Sequence, residues 1–446
     1  MLNHLKSLFG NKPATPAPLP EQRMTLDQAA TVAAATQKNA AYLCREAVFD
    51  RKNRLAGHLF RLHGSSAQAI QRDAIQCALD RQLINILNAS PEAWNTNLAI
   101  IPLNSGSLSL ATVDQLKPEK LVLIIQLATD ANAELLIPRI QALRDRGISI
   151  GVFRQPKNPA FTDVIALADF GAIDIAGSEA NSIRDFAAAF RSKEKVTSHL
   201  FGCDIDTEDE YRLCHQWHFS YFHGKFAATH PVKNGETGAD PHKMQLLHLM
   251  RLVQGEAETA EIVAAMKQDP VLTFRILRYL NSPALGLSHK IDSLSQALVI
   301  LGRQRLSRWL AVLVFSVREP NIGDWLLVEN ALTRGRIMEV LSQELTPGMP
   351  HDQLFLTGIF SCLDRLLRRP LIELLNDMPL PDNIRSALID QTGPYAALLA
   401  VAKAGEAYDI PQMEIAAQAA NIDSDTLNRA LLAATAWASE VTEHWE

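Results

Sequence analysis

The sequence predicts two folded units, a (β/α)8-type barrel followed by an all-helical bundle, and three observations carry that prediction. The chain has 446 residues, 47% of them hydrophobic, which exceeds what one core ordinarily organises and suffices for two. Up to about residue 231, β-prone runs alternate with helical ones. Beyond Pro241 the strand pattern stops and apolar residues recur at helical spacing. The expected division is a tail with a Pro-rich linker over 1–40, the barrel over 41–231, a linker over 232–242 and the bundle over 243–446. Pro231, Gly235, Gly238 and Pro241 cluster at that junction, as exposed linkers do.

In the first half the strand candidates are CREAVFD, RLAGHLFRL, LAIIPLN, KLVLIIQL, ISIGVFRQ, FGAIDIAG, KVTSHLFGC and WHFSYFHGK. Continuous apolar runs such as LVLII suit parallel strands covered on both faces. The segments between them, including SAQAIQRDAIQCALDRQLINIL, NAELLIPRIQALRDRG and NSIRDFAAAFRSK, read as crossover helices. The first two runs are too closely connected for a crossover, so one antiparallel strand is expected.

In the second half Phe274, Leu277 and Leu280 share one helix face, and Leu294, Ala297, Leu298 and Leu301 share another. Pro283 and Gly286 end the first helix, and Ser293 with Gln296 can box the start of the second. The intervening loop offers Asn281, Ser282 and Ser288 for hydrogen bonding beside the apolar Leu285 and Leu287. Loops held between rigid helices are where recognition tends to reside. His289, Arg303, Arg305 and Arg308 add the best local basic cluster, although a solvated helix face is the commoner meaning of such charges.

Composition narrows the function classes. A formal net charge of −6 gives no global attraction to nucleic acid or anionic lipid, and no groove-reading motif accompanies the basic cluster. Five scattered cysteines suit free thiols in a reducing cytoplasm. No run reaches the roughly 18 consecutive apolar residues of a membrane span. Zinc held by Cys203, Cys214, His215, His218 and His223 is disfavoured. Their spacing matches no standard zinc motif, and the odd separation of His218 and His223 points them to opposite faces of a strand.

Two segments then become recognisable. QDPVLTFRILRYLNSPALGL followed by SLSQALVILGRQRL resembles the HDOD domain, a helical bacterial signalling module related to HD phosphohydrolases. AVFDRKNRLAGHLFR and YFHGKFAATHP resemble the opening and closing segments of an EAL domain, the barrel that hydrolyses cyclic di-GMP. That hydrolysis implies paired divalent ions held by carboxylate and amide oxygens at strand ends.

The resemblance places apolar, small or cationic residues where those ligands belong. The first glutamate falls on Gly57, His58 or Leu59, an asparagine on Pro102, a second glutamate on Ile124, and an Asp-Asp pair on Phe153 and Arg154. The lysine falls on Ala172, a late glutamate on Cys203 and a glutamine on His223. Asp174, Lys225 and Phe226 stand as residual barrel-mouth candidates. In the helical half, Ser361 and Cys362 take the places of the His-Asp metal pair. The literal His351-Asp352 reads instead as a solvated histidine and a helix N-terminal acid.

The expectation is therefore a cytoplasmic, non-enzymatic EAL-HDOD-type signalling protein without catalytic residues, metal or cofactor. It would bind a protein partner through Asn281, Ser282, Leu285, Leu287, His289, Arg303, Arg305 and Arg308. The alternatives are a cyclic di-GMP receptor without hydrolysis and, behind it, an active phosphodiesterase.

Overall fold

A computed structural model of the chain describes residues 40–64, 72–90, 94, 98–116, 120–191, 198–229, 241–255, 257–268, 294–316, 321–345, 348–376, 378–407 and 409–443. Eight strands close into a barrel in sequence order: β1 (Ala41–Asp50), β2 (Leu55–Gly64), β3 (Leu98–Asn104), β4 (Leu121–Gln126), β5 (Ser149–Phe153), β6 (Phe170–Asp174), β7 (His199–Cys203) and β8 (Tyr221–His223). β1 runs antiparallel to both β2 and β8, and the other neighbours pair in parallel. The eight predicted runs are all strands, and the expected antiparallel one is the first.

The barrel interior is packed with Val48, Leu59, Ile100, Val122, Ile124, Phe170, Ala172, Phe201 and Cys203. A second apolar layer lies between the strands and helices α1 (Arg72–Ala89), α2 (Ala133–Asp145), α3 (Ala180–Arg191) and α4 (Glu208–Gln216). Gly57 sits where β2 meets β3 so closely that a Cβ would lie 2.0 Å from the Leu98 carbonyl oxygen, so no larger residue fits without moving the strands.

From α5 (Pro241–Gln254) onward the described elements are helical. They include α6 (Leu294–Val314), α7 (Ile322–Leu345), α8 (His351–Phe360), α9 (Ala396–Ala407) and α10 (Ser424–Glu443). Gly302, at φ +73° and ψ 163°, breaks α6 into two pieces. α7 and α8 cross at glycines: a Cβ on Gly358 would lie 2.5 Å from the Gly335 Cα. This contact lets the backbones approach more closely than side chains would allow.

The two halves meet at the outer face of the β1–β2 hairpin. The chain turns from β1 into β2 through residues 51–54, with Asp50 Oδ1 accepting from the backbone N–H of Lys52 and Arg54, so no crossover helix covers that face. α7 and α10 cover it instead. The Asn428 side chain on α10 accepts from Leu43 N–H at 2.8 Å and donates to the Ala41 carbonyl at 2.9 Å. Arg45 donates to Glu329 of α7 at 2.8 Å and to Ser439 of α10 at 2.6 Å. His58 of β2 lies 2.6 Å from the same Glu329 oxygen.

The Arg45 and His58 side chains are only 1% and 2% exposed, so this is a desolvated ionic contact. Burial, and then the Arg45 charge, hold the His58 imidazole below its usual range. It stands neutral, with Nε2–H donating to Glu329. Burial pushes the Glu329 carboxyl up, but the hydrogen bond from His58 and the charge and hydrogen bond of Arg45 outweigh it and hold it below the usual carboxylate range.

Truncation as Glu329→Ala strands a buried guanidinium and is expected to destabilise the chain by about 3–5 kcal/mol, read from urea unfolding. The pairing Arg45→Met with Glu329→Leu is expected to recover most of that loss. Both titrating groups have depressed folded pKa values, so both contributions weaken on acidification. Glu329 loses its share as pH falls below about 4.3, and His58 opposes folding below about pH 6.5. The urea midpoint should therefore fall between about pH 6.5 and 5, less steeply in His58→Gln than in the parent; equal slopes would contradict the neutral buried His58.

Candidate functional site

Strand alternation puts Cys44, Glu46 and Val48 on the inward face of β1, and the antiparallel register sets Cys44 beside Arg61, Glu46 beside Leu59 and Tyr42 beside His63. Val48 pairs with His223 of β8. Of these residues Arg61 and His63 reach the wall of a cavity of about 680 Å³, bounded also by Gln126, Arg154, Asp174 and Asp204 among others.

A chain of charge-assisted hydrogen bonds runs from Arg61 and Asp204 on the wall to His223 and Glu46. The Asp204 backbone N–H donates to His223 Nδ1 at 3.3 Å, which leaves Nε2 to donate to Glu46, 2.6 Å away. Arg61 reaches both Asp204 oxygens at 3.3 and 3.4 Å. Burial raises the Glu46 carboxyl, but the hydrogen bond from His223 and the Arg61 charge bring it below the ordinary range. Burial, helped by Arg61, outweighs Glu46 and holds His63 low, so its imidazole is neutral near pH 7.

Of the three residual mouth candidates, Asp174 lines the cavity, with Oδ1 accepting from Gly177 N–H at 3.1 Å. Lys225 and Phe226 do not. The Lys225 side chain is 87% exposed beside Asp206. Phe226 is fully buried and stacked on Tyr211 with ring centroids 4.6 Å apart. Among the positions singled out by the EAL resemblance, Pro102, Phe153 and Arg154 form part of the cavity wall, whereas Leu59, Ile124, Ala172 and Cys203 are interior core.

The Cys203, Cys214, His215, His218 and His223 set is dispersed. Cys203 is interior, Cys214 is buried on α4, His215 lies 3.3 Å from the Arg51 carbonyl, and His218 is an exposed residue at φ +62°. Glu46, Arg61 and Asp204 were missed by motif reading. The period-2 alternation of β1 could have flagged Glu46, whereas the placement of Asp204 just beyond β7 is a tertiary fact.

In the helical half, Ser361 and Cys362 follow α8. Arg334 of α7 donates to Ser361 Oγ at 2.6 Å and pairs with Glu406 of α9, to which Asn330 also donates at 2.6 Å. A permanent cation thus stands beside the two positions where the family resemblance places the His-Asp pair. Burial pushes the Cys362 thiol up to about 11. His351 Nδ1 lies 2.8 Å from Ser342 Oγ, and Asp352 sits in the first turn of α8, the placement expected of a helix N-terminal acid.

The candidate interaction surface divides. Asn281, Ser282, Leu285, Leu287 and His289 lie outside the described residues. Arg305 is exposed. Arg303, just after the Gly302 break, donates to the carbonyls of Val253 and Ala257 at 3.3 and 2.5 Å. Arg308 is not a surface residue: its side chain is 4% exposed, it bonds both Glu339 oxygens at 2.6 and 2.8 Å, and it lies 3.9 Å over the Phe355 ring. The intervals that suggested a basic face place Arg308 on the buried side of α6.

The HDOD domain family matches residues 241–373. The chain carries an HDOD domain. It is 24% identical over 375 residues to the uncharacterized protein YuxH of Bacillus subtilis, covering 81% of this chain and 90% of that protein. It is 23% identical over 327 residues to the cyclic di-GMP phosphodiesterase CdgJ of Vibrio cholerae, covering 73% and 74%. Among solved structures, an EAL domain protein from Listeria monocytogenes aligns over 46% of this chain and 93% of that one, at 11% identity and a TM-score of 0.36. No helix among the described residues is long and apolar enough to cross a membrane.

Arg308→Ala should destabilise the HDOD half by about 3–5 kcal/mol, because it leaves Glu339 buried beside fewer charges. Arg305→Ala should stay within about 0.5 kcal/mol. Thermal unfolding of the two variants checks both, and equal effects would contradict the placement.

Proposed function

We propose that this chain is a non-enzymatic signal-transduction protein, in which an EAL-like barrel without hydrolytic chemistry supports an HDOD module that docks a protein partner. The observation that carries the reading is Arg154. It stands on the cavity wall at a position where the EAL resemblance implies a metal-binding carboxylate. A fixed guanidinium repels a divalent ion, and its neighbours Phe153 and Pro102 offer no side-chain oxygen. Paired hard cations need several such oxygens each.

The Arg334–Glu406 pair supports the same reading for the helical half, since it sets a side-chain cation beside Ser361 and Cys362. Docking then falls to exposed groups of the HDOD domain such as Arg305, together with the segment from Asn281 to His289.

A second reading rests on the cavity itself. Its 680 Å³ is of ligand size, and Arg61, Arg154 and Gln126 could meet phosphate without metal. This would make the chain a cyclic di-GMP receptor without hydrolysis. CdgJ is named as a phosphodiesterase, which keeps turnover as the outcome to be tested against.

Calorimetry of the full chain with cyclic di-GMP, with and without magnesium or manganese, and product analysis of the same mixtures, separate the readings. The expected result is no turnover under either condition. Saturable binding without turnover would replace the scaffold reading by the receptor, and hydrolysis would overturn both.

A further inference from the structure

The inward face of the β1–β2 hairpin carries a group of side chains of which the charge network above uses only Glu46. The Cys44 thiol, a Glu46 carboxylate oxygen and a His63 ring nitrogen lie within 4.8 Å of one another. Cys44 is fully buried, and neither its thiol nor His63 has a hydrogen bond to any described residue. The neighbouring set of Glu46, Asp204 and His223 is equally close but already satisfied: both His223 nitrogens are engaged, and Arg61 holds Asp204.

We propose that Cys44, Glu46 and His63 form a binding site for a single zinc-class divalent ion. The backbone ladder fixes two donors on β1 and one on β2, so the site is built on rigid strands rather than loops. Zinc bonds of about 2.0–2.3 Å require the three atoms to close in somewhat, which rotation of Glu46 and the half-buried His63 supplies. Thiolate and imidazole donors select zinc or cobalt over magnesium and calcium. Water fills the fourth position of the tetrahedron.

Charge balance favours this set despite the nearby guanidinium. The Cys44 thiolate and the Glu46 carboxylate neutralise the ion, and the thiol proton leaves to solvent on binding. Arg61 is turned to Asp204, so that pair is balanced separately. His223, hydrogen-bonded to one Glu46 oxygen, orients the carboxylate while the second oxygen meets the metal, as outer partners of metal ligands commonly do. A single ion with a sulfur ligand is different chemistry from paired hard cations, and the site stands or falls independently of the scaffold reading.

The test is titration of the full-length, metal-stripped chain with zinc and with cobalt(II), in reducing buffer. One equivalent of each should bind, and cobalt should give the near-ultraviolet charge-transfer absorption of a thiolate ligand. Cys44→Ser should lose that band, and Cys77→Ser should keep it. His63→Gln, at a position that does not fill the core, should lose tight binding while its thermal unfolding without metal matches the parent. Absence of binding, a band that survives Cys44→Ser, or unchanged affinity in His63→Gln would each overturn the proposal.

Discussion

The architecture depends on one strand with two different faces. β1 alternates an inward set, Cys44, Glu46 and Val48, with an outward set that includes Leu43 and Arg45. The inward set faces the barrel interior and the outward set binds the helical half. Because the chain passes from β1 into β2 without a crossover helix, the hairpin's outer face would lie bare without α7 and α10. Glu329 answers both Arg45 and His58 there, and Asn428 pairs with β1 much as an added peptide group would. Desolvated ionic contacts of this kind are poor sources of net stability but severe when half-broken. Their effect is to fix how the two halves sit together rather than to strengthen the whole.

This placement bears on how the HDOD domain can be used. Helices α7 and α10 of the helical half serve as part of the barrel's covering, so that half cut from about residue 240 would present Glu329 and Asn428 to solvent. The docking proposed above then falls on surfaces away from that seam. At the cavity carboxylates stand among cations and hydrogen-bond donors. Carboxylates are present, but Asp204 is matched by Arg61 and Glu46 is hydrogen-bonded to His223, while Arg154 adds a further cation to the wall. The same logic recurs in the helical half, where Arg334 and Glu406 face Ser361.

The fold was largely legible because its signals are local. Continuous apolar runs such as LVLII marked parallel strands, and the short link between the first two marked the antiparallel one. The mouth was legible only where a family motif supplied an alignment, as for Arg154 and Pro102. Lys225 and Phe226 misled because proximity to the closing strand does not say which way a side chain points: one faces solvent and the other fills the core against Tyr211. Arg308 misled for a related reason, since a guanidinium can be buried when Glu339 and Phe355 receive it, and neither partner is near it in sequence. The seam between the halves was invisible for the same cause, since Arg45 and Glu329 are distant along the chain.

Native-state hydrogen exchange tests most directly whether the two halves form one unit across β1. The amide of Leu43, which donates to Asn428, and the interior amides of α10 should open with the same free energy, equal to that of global unfolding. If α10 exchanges far more readily than β1, the helical half separates from the barrel on its own and the shared seam does not hold the molecule together.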